Sequence, residues 1–277
     1  MYILHRLING LFALIHYPFR HLSPFWPVLI ISAVTGLLFL FIFKWTSNQD
    51  ALRKVKNKIK AHIFSIRLFD VNPGQLFAIL GRILAANFRY ISLFIVPFVF
   101  LVIPFLFVAA QIDARYSYRG LEPGEQALLK VQLAPELNPM KITARLQLPK
   151  GLQKDIGPLR NLKDNELVYR ITCEEPHDGD LVLHLQQGEE NQRIDKLCNM
   201  TPLAAAYSRA RVTSLLQQVL HPLEKPLDAN GPVQRITLQY PRQSIVFLWI
   251  HWHPLVLFVV LSVVIGFAVK GLFKVEI

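Results

Sequence analysis

Three apolar blocks organise the chain. Pro27–Phe43 reads PVLIISAVTGLLFLFIF between Trp26 and Trp45. It lies at the short end of what crosses a hydrocarbon core, and a Trp at each end suits the two interfaces. Ile91–Ile112 carries no charge and contains Pro97 and Pro104, each of which removes a backbone donor and favours a kink. Ile245–Val269 opens with Trp249 and Trp252 and ends at Lys270. The blocks predict three transmembrane helices, over 23–45, 90–112 and 244–270.

Between the first two blocks the period changes. Leu52, Val55, Ile59, His62 and Ile66 recur at spacings of three and four, an a/d-like seam that Ile63 widens. Ser47 or Asn48 can cap this helix, and Asp50 suits its first turn. Arg53, Lys54, Lys56, Lys58 and Lys60 fall on the opposite face. Asp70-Val71-Asn72-Pro73-Gly74 is a turn signal. Leu76, Ile79, Leu80, Ile83, Leu84 and Asn87 then mark a second amphipathic helix that runs through Arg89 into the second span. The segment 46–89 therefore predicts a helical hairpin.

Beyond the second span the period is two. Leu129, Val131 and Leu133 alternate with polar residues, as do Ile142–Leu148, Leu167–Ile171, Leu181–Leu185 and Ile236–Tyr240. Turn signals separate the runs. The segment 113–243 predicts a β-rich, sandwich-like antiparallel domain, with Leu203–Leu220 a helix candidate through Val212, Leu215, Leu216 and Val219. Both cysteines, Cys173 and Cys198, fall here. In an oxidising compartment they can pair; two buried thiols that never meet are the alternative.

Charge then orients the spans. The net charge is +11, yet 113–243 is nearly balanced, while 44–90 carries nine Lys and Arg against Asp50 and Asp70. A basic segment between two spans marks the cytoplasmic side. The second span then runs outward, the β-rich domain lies outside, and the tail 271–277 lies inside. This distribution argues against a nucleic-acid surface and for anionic lipid as a partner of the basic hairpin. Residues 1–22 read as an amphipathic helix lying on the outer leaflet, with a cleaved signal peptide or a further span as the alternatives. The compartment expected is a bacterial inner membrane.

Candidate chemistry is sparse. No nucleophile motif, P-loop, glycine fingerprint or zinc spacing is present, so neither catalytic residues nor metal or other cofactor are expected. His251 and His253, two apart, do not share a helix face and read as interfacial. Lys44, Asn87 and Arg89 cluster at the cytoplasmic mouths of the first two spans. They read either as snorkelling ends or as a shallow hydrophilic vestibule.

The order of Pro27–Phe43, Asn48–Asn87, Ile91–Ile112 and Ile245–Val269 resembles the YidC/Oxa-type insertase superfamily, including the insertase subunit of the eukaryotic ER membrane complex. The resemblance is one of layout and covers about half the chain. It implies a cytosolic coiled coil linking two core spans and a third span closing a groove. A polar groove residue in mid-span, often an arginine in that superfamily, is missing here, and the large domain between the second and third spans is a departure. Two functions stay open. One is a non-enzymatic membrane subunit that anchors its outer domain and docks other membrane-protein subunits. The other is an insertase or chaperone for membrane-protein segments.

Overall fold

The computed structural model describes every residue except 1–9, 11–13, 15–17, 19–21, 69–72, 188–189, 202–205, 222, 274 and 277. The expected N-terminal amphipathic helix therefore falls almost wholly outside the described residues, as do Asp70-Val71-Asn72 of the hairpin turn. Two compact units form, one from 1–28 with 106–257, the other from 29–105 with 258–277.

The second unit is helical. Helix α1 (Phe25–Thr46) and helix α3 (Pro73–Tyr116) both enter it, with α2 (Gln49–Leu68) between them and α5 (Pro254–Val269) returning late in the chain. The second hairpin helix and the second apolar block are one helix, α3, which continues through Pro97 and Pro104. At 1.5 Å per residue its 44 residues reach about 66 Å. Helices α1 and α3 are long and apolar enough to cross a membrane. Helix α3 leaves Val96, Phe98, Val99, Phe100 and Ile103 exposed, more than one face of large apolar side chains. A soluble surface rarely carries such a patch, and it points to membrane association. Within the unit α1 buries Ile31, Thr35, Leu40 and Phe43. A Cβ at Gly36 would stand 2.6 Å from the Ser262 carbonyl oxygen, so only glycine admits the α5 backbone there.

The third apolar block is not one helix. Ile245–Phe247 (β9) and Ile250–Trp252 (β10) pair as a hairpin, and α5 begins at Pro254. His253 is its cap: its Nδ1 accepts from the Leu255 N–H at 3.3 Å and its carbonyl from the Leu257 N–H at 3.0 Å. Proline in the first turn suits the start, while β-branched and aromatic residues before it favour strands. The helix that remains has 16 residues, about 24 Å.

Leu248 and Trp249 form the two-residue loop of that hairpin with φ of 51° and 61°. Both positive angles belong to a type I′ turn, which Asn-Gly suits and bulky side chains do not. Replacing the pair by Leu248→Asn with Trp249→Gly should stabilise the hairpin by about 1–2 kcal/mol. Amide exchange of β9 and β10 in the full-length protein would then slow about tenfold; unchanged or faster exchange would contradict the strain.

The first unit is β-rich. Its strands are β1 (Gln126–Leu133), β2 (Thr143–Gln147), β3 (Leu152–Asn161), β4 (Glu166–Cys173), β5 (Gly179–Gln187), β6 (Glu190–Cys198), β7 (Ala210–Val212) and β8 (Val233–Leu238). They form a five-stranded sheet, ordered β3-β4-β1-β8-β7, and a three-stranded sheet, β2-β5-β6. Every pairing among these eight strands is antiparallel. Alternation decides which face is buried. Val131 of β1 stands opposite Leu167 of β4 and Ile236 of β8, a fully buried row. Leu181, Leu183 and Leu185 of β5 join the same core from the other sheet.

The sequence reading changes in two further places. Leu203–Leu220 is not one helix: Ala210–Val212 is a strand paired with β8, and among the described residues of this range only Leu215–Leu220 (α4) is helical. The open edge of β8 takes up Val212, so tertiary pairing overrides the helical spacing. The cysteines carry free thiols. Cys173 ends β4 and Cys198 ends β6, on separate sheets, and both are buried in the common core. The Cys173 thiol donates to the Leu121 carbonyl at 3.7 Å. Burial pushes the Cys198 thiol up to about 12.

Candidate docking site

A concavity of the helical unit lies between α2 and α3. It is a cleft of about 1040 Å³. Asn48 starts its first wall, accepting from the Ala51 N–H through Oδ1 at 3.0 Å and from the Leu52 N–H through its carbonyl at 3.0 Å. From that cap Asp50, Lys54, Lys58 and His62 follow at intervals of four, one stripe of an α-helix, and all line the cleft. Arg82 and Arg89 line it from α3, seven apart and so on one face, with Ala85 and Ala86 between them. The small alanines leave the space open. Among the described residues, two ammonium and two guanidinium groups thus share a cavity with one carboxylate.

This placement revises the expected coiled coil. Leu52 is buried in a cluster with Leu40, Phe43 and Val275, with Tyr90 and Phe94 packed against it. Val55 is buried too, but it and His62 line the cleft, while Ile59 and Ile66 are half-buried. On α3, Leu80 and Leu84 are exposed. The seam closes near the cap of α2 and opens beyond it, so Lys54 and Lys58 of the face expected to be solvated line a cleft instead. Among the described residues His62 Nε2 has no hydrogen-bond partner, and it is cut off from solvent.

The three vestibule residues part company. Arg89 lines the cleft. Lys44 donates to the Phe273 carbonyl at 3.0 Å, and the Asn87 amide donates to the Ile83 carbonyl at 2.9 Å, back into its own helix. Sequence reasoning missed the tail as a structural element. Glu276 pairs with Arg53 at 3.4 Å and Lys56 at 3.2 Å, and its N–H donates to Gln49 Oε1 at 2.7 Å. Lys56 and Arg53 hold its carboxyl below the ordinary range. It missed Lys54, Lys58 and Arg82 as a group as well, although the interval of four from Asp50 to His62 was available.

A second cavity, of about 150 Å³, lies among Gly36, Phe39, Leu40, Phe43, Leu101 and Ser262. Its walls are apolar apart from the Ser262 hydroxyl, which donates to the Val259 carbonyl at 3.0 Å. Among the described residues no three His, Cys, Asp or Glu side chains gather as a metal site. The basic cleft holds no nucleophile beside a base. It can pair with carboxylates or phosphates through charge-assisted hydrogen bonds. No protein family, curated protein or solved structure matches the chain.

Proposed function

We propose that the chain is a non-enzymatic membrane subunit that holds its β-rich unit outside a bacterial inner membrane and docks an acidic segment of another membrane-complex subunit in the cleft between α2 and α3. The observation that carries this reading is the cleft itself, where, among the described residues, Lys54, Lys58, Arg82 and Arg89 share the lining with a single carboxylate, Asp50. Charge complementarity of this kind selects partners and speeds their encounter. In this reading α1, α3 and α5 all cross the bilayer, the short α5 thinning it locally. The basic 44–90 segment lies in the cytoplasm, on a YidC/Oxa-like layout. The apolar cavity beside Gly36 supports a scaffold over an insertase, which needs a polar path for its client.

Photocrosslinking groups at Arg82 and Arg89 of the full-length protein in cells test the reading. One stoichiometric subunit should be captured, and Lys54→Glu with Lys58→Glu should abolish its capture. A ladder of many different membrane segments would support the insertase instead. Lipid alone would refute docking. A reporter inserted at Asn230 should be active outside the membrane and one after Ile277 inside it; the reverse would refute the orientation.

A further inference from the structure

A second concentration of positive charge lies on the β-rich unit, in a groove of about 480 Å³ on the outer face of the five-stranded sheet. Register brings its walls together. Lys130 of β1 stands opposite Thr237 of β8, and Gln132 stands opposite both Arg235 of β8 and Glu166 of β4. Arg209, just before β7, lies over the Tyr118 ring at 5.1 Å and donates to its hydroxyl. Tyr118 bridges through its backbone to Arg242, which closes the rim.

An outward sheet face is ordinarily polar, and its charges are ordinarily solvated or paired. This one is polar, but its cations are unpaired among the described residues, and one of them is partly cut off from water. Among the described residues the side chains of Lys130, Arg235 and Arg242 have no ion pair and no hydrogen bond, and Glu166, the groove's acid, pairs with none of them. Arg235 Nε is cut off from water without an acceptor. A buried donor left unsatisfied is costly, and a guanidinium donor more so. Two of these cations, Arg209 and Arg235, also reach His221. Its proton affinity falls through burial first, then through Arg209, Arg235 and Lys196.

We propose that this groove binds a phosphate-bearing ligand of charge −2 or more. Four cations against one carboxylate require a polyanion rather than a single carboxylate. Arg235 of β8, Arg209 before β7 and Arg242 at the rim line one groove, and guanidinium forks match the oxygens of a phosphate group. The inference goes beyond the docking reading and rests on the β-rich unit alone, so it stands or falls separately from the cleft.

The test uses full-length protein in a neutral maltoside detergent, titrated calorimetrically with pyrophosphate. It also uses nanodiscs of phosphatidylcholine with and without phosphatidic acid. Saturable binding at one site is expected. Lys130→Gln, Arg235→Gln and Arg242→Gln should each weaken it about tenfold, the loss of a charge-assisted hydrogen bond. Glu166→Gln should tighten it several-fold, which no merely structural role would produce. Arg145→Gln, exposed on the other sheet, should change nothing. Pyrophosphate binding identifies a soluble phosphate ligand. Binding confined to phosphatidic acid, and lost with Arg235→Gln, identifies a lipid headgroup. Should Arg235→Gln fail to fold, the exposed Arg242 and the half-buried Lys130 carry the test. Binding to neither probe, equal loss in Arg145→Gln, or displacement of pyrophosphate by an acidic peptide at lower concentration would each overturn the proposal.

Discussion

Lys196→Met should cost the β-rich unit about 3–5 kcal/mol, the penalty for leaving one member of a buried ion pair alone. Lys196 is 0% exposed. Its ammonium donates to the Leu197 carbonyl at 2.9 Å, the Ser208 carbonyl at 2.6 Å and Ser208 Oγ at 3.0 Å, and it pairs with the Glu224 carboxylate. Glu224 in turn accepts from the Leu197 N–H at 3.1 Å and from the Ser208 hydroxyl. The cluster ties β6 to the segment before β7 and to the loop after α4. Methionine fills the volume but strands a carboxylate. The two cysteines provide the readout, because both are buried in this unit and the chain has no others. Opening of the unit, followed by thiol labelling of full-length protein, should accelerate between a hundred- and several-thousand-fold. Adding Glu224→Leu should restore most of the loss, since an apolar pair of similar volume replaces an ion pair at little cost. A single-variant cost below about 1 kcal/mol would show the cluster to be solvated in practice.

Acid should destabilise the same unit over two separable pH ranges. His221 is pushed down to about 4, by burial first and then by Arg209, Arg235 and Lys196. The unfolded chain therefore takes up a proton near pH 6.5 that the folded chain refuses. Stability falls as pH drops from about 6.5 to about 4, by roughly 2–3 kcal/mol. Glu125 is held at about 2 by its hydrogen bond to Arg119 and by the Glu122 N–H. Arg119 grips it through two bonds, at 2.8 and 2.7 Å. A depressed carboxyl contributes fully above the unfolded value near 4.5 and loses that contribution as pH falls toward 2. With a third of its side chain exposed, screening reduces the effect to about 1 kcal/mol. Urea midpoints read by 4,4′-dithiodipyridine, which stays reactive in acid, should therefore decline along two limbs. His221→Gln should flatten the upper limb alone and Glu125→Gln the lower alone. One featureless decline in all three proteins would contradict both assignments.

How much of this was legible beforehand depends on where each residue's partner lies. The strands at the centre of the sheets, β1, β4, β5 and β8, announce themselves by alternation because one face of each is buried. At the edges β2 alternates as well, but β3 and β6 do not. β3 and β6 carry polar residues on both faces and are strands because β4 and β5 supply hydrogen-bond partners from elsewhere in the chain. The Lys196 cluster was hidden for the same reason. A lysine in a polar run looks solvated until Ser208 and Glu224, 12 and 28 residues away, arrive to bury it.

The chain's own order of residues determined what depends on neighbours within a turn or two. It placed the apolar blocks of α1 and α3, the Asn48 cap, the continuity of α3 from amphipathic to apolar, and the alternation that built the β core. Tertiary structure decided what depends on distant partners. It split the third apolar block into a hairpin and a short helix and turned Val212 into an edge strand. It left two thiols apart on separate sheets and gathered the cations of the α2–α3 cleft and of the Arg235 groove. Periodicity records which face of an element is apolar, and that follows from local geometry. Which distant side chains meet a charged group is set by packing across the whole fold, and no spacing along the chain records it.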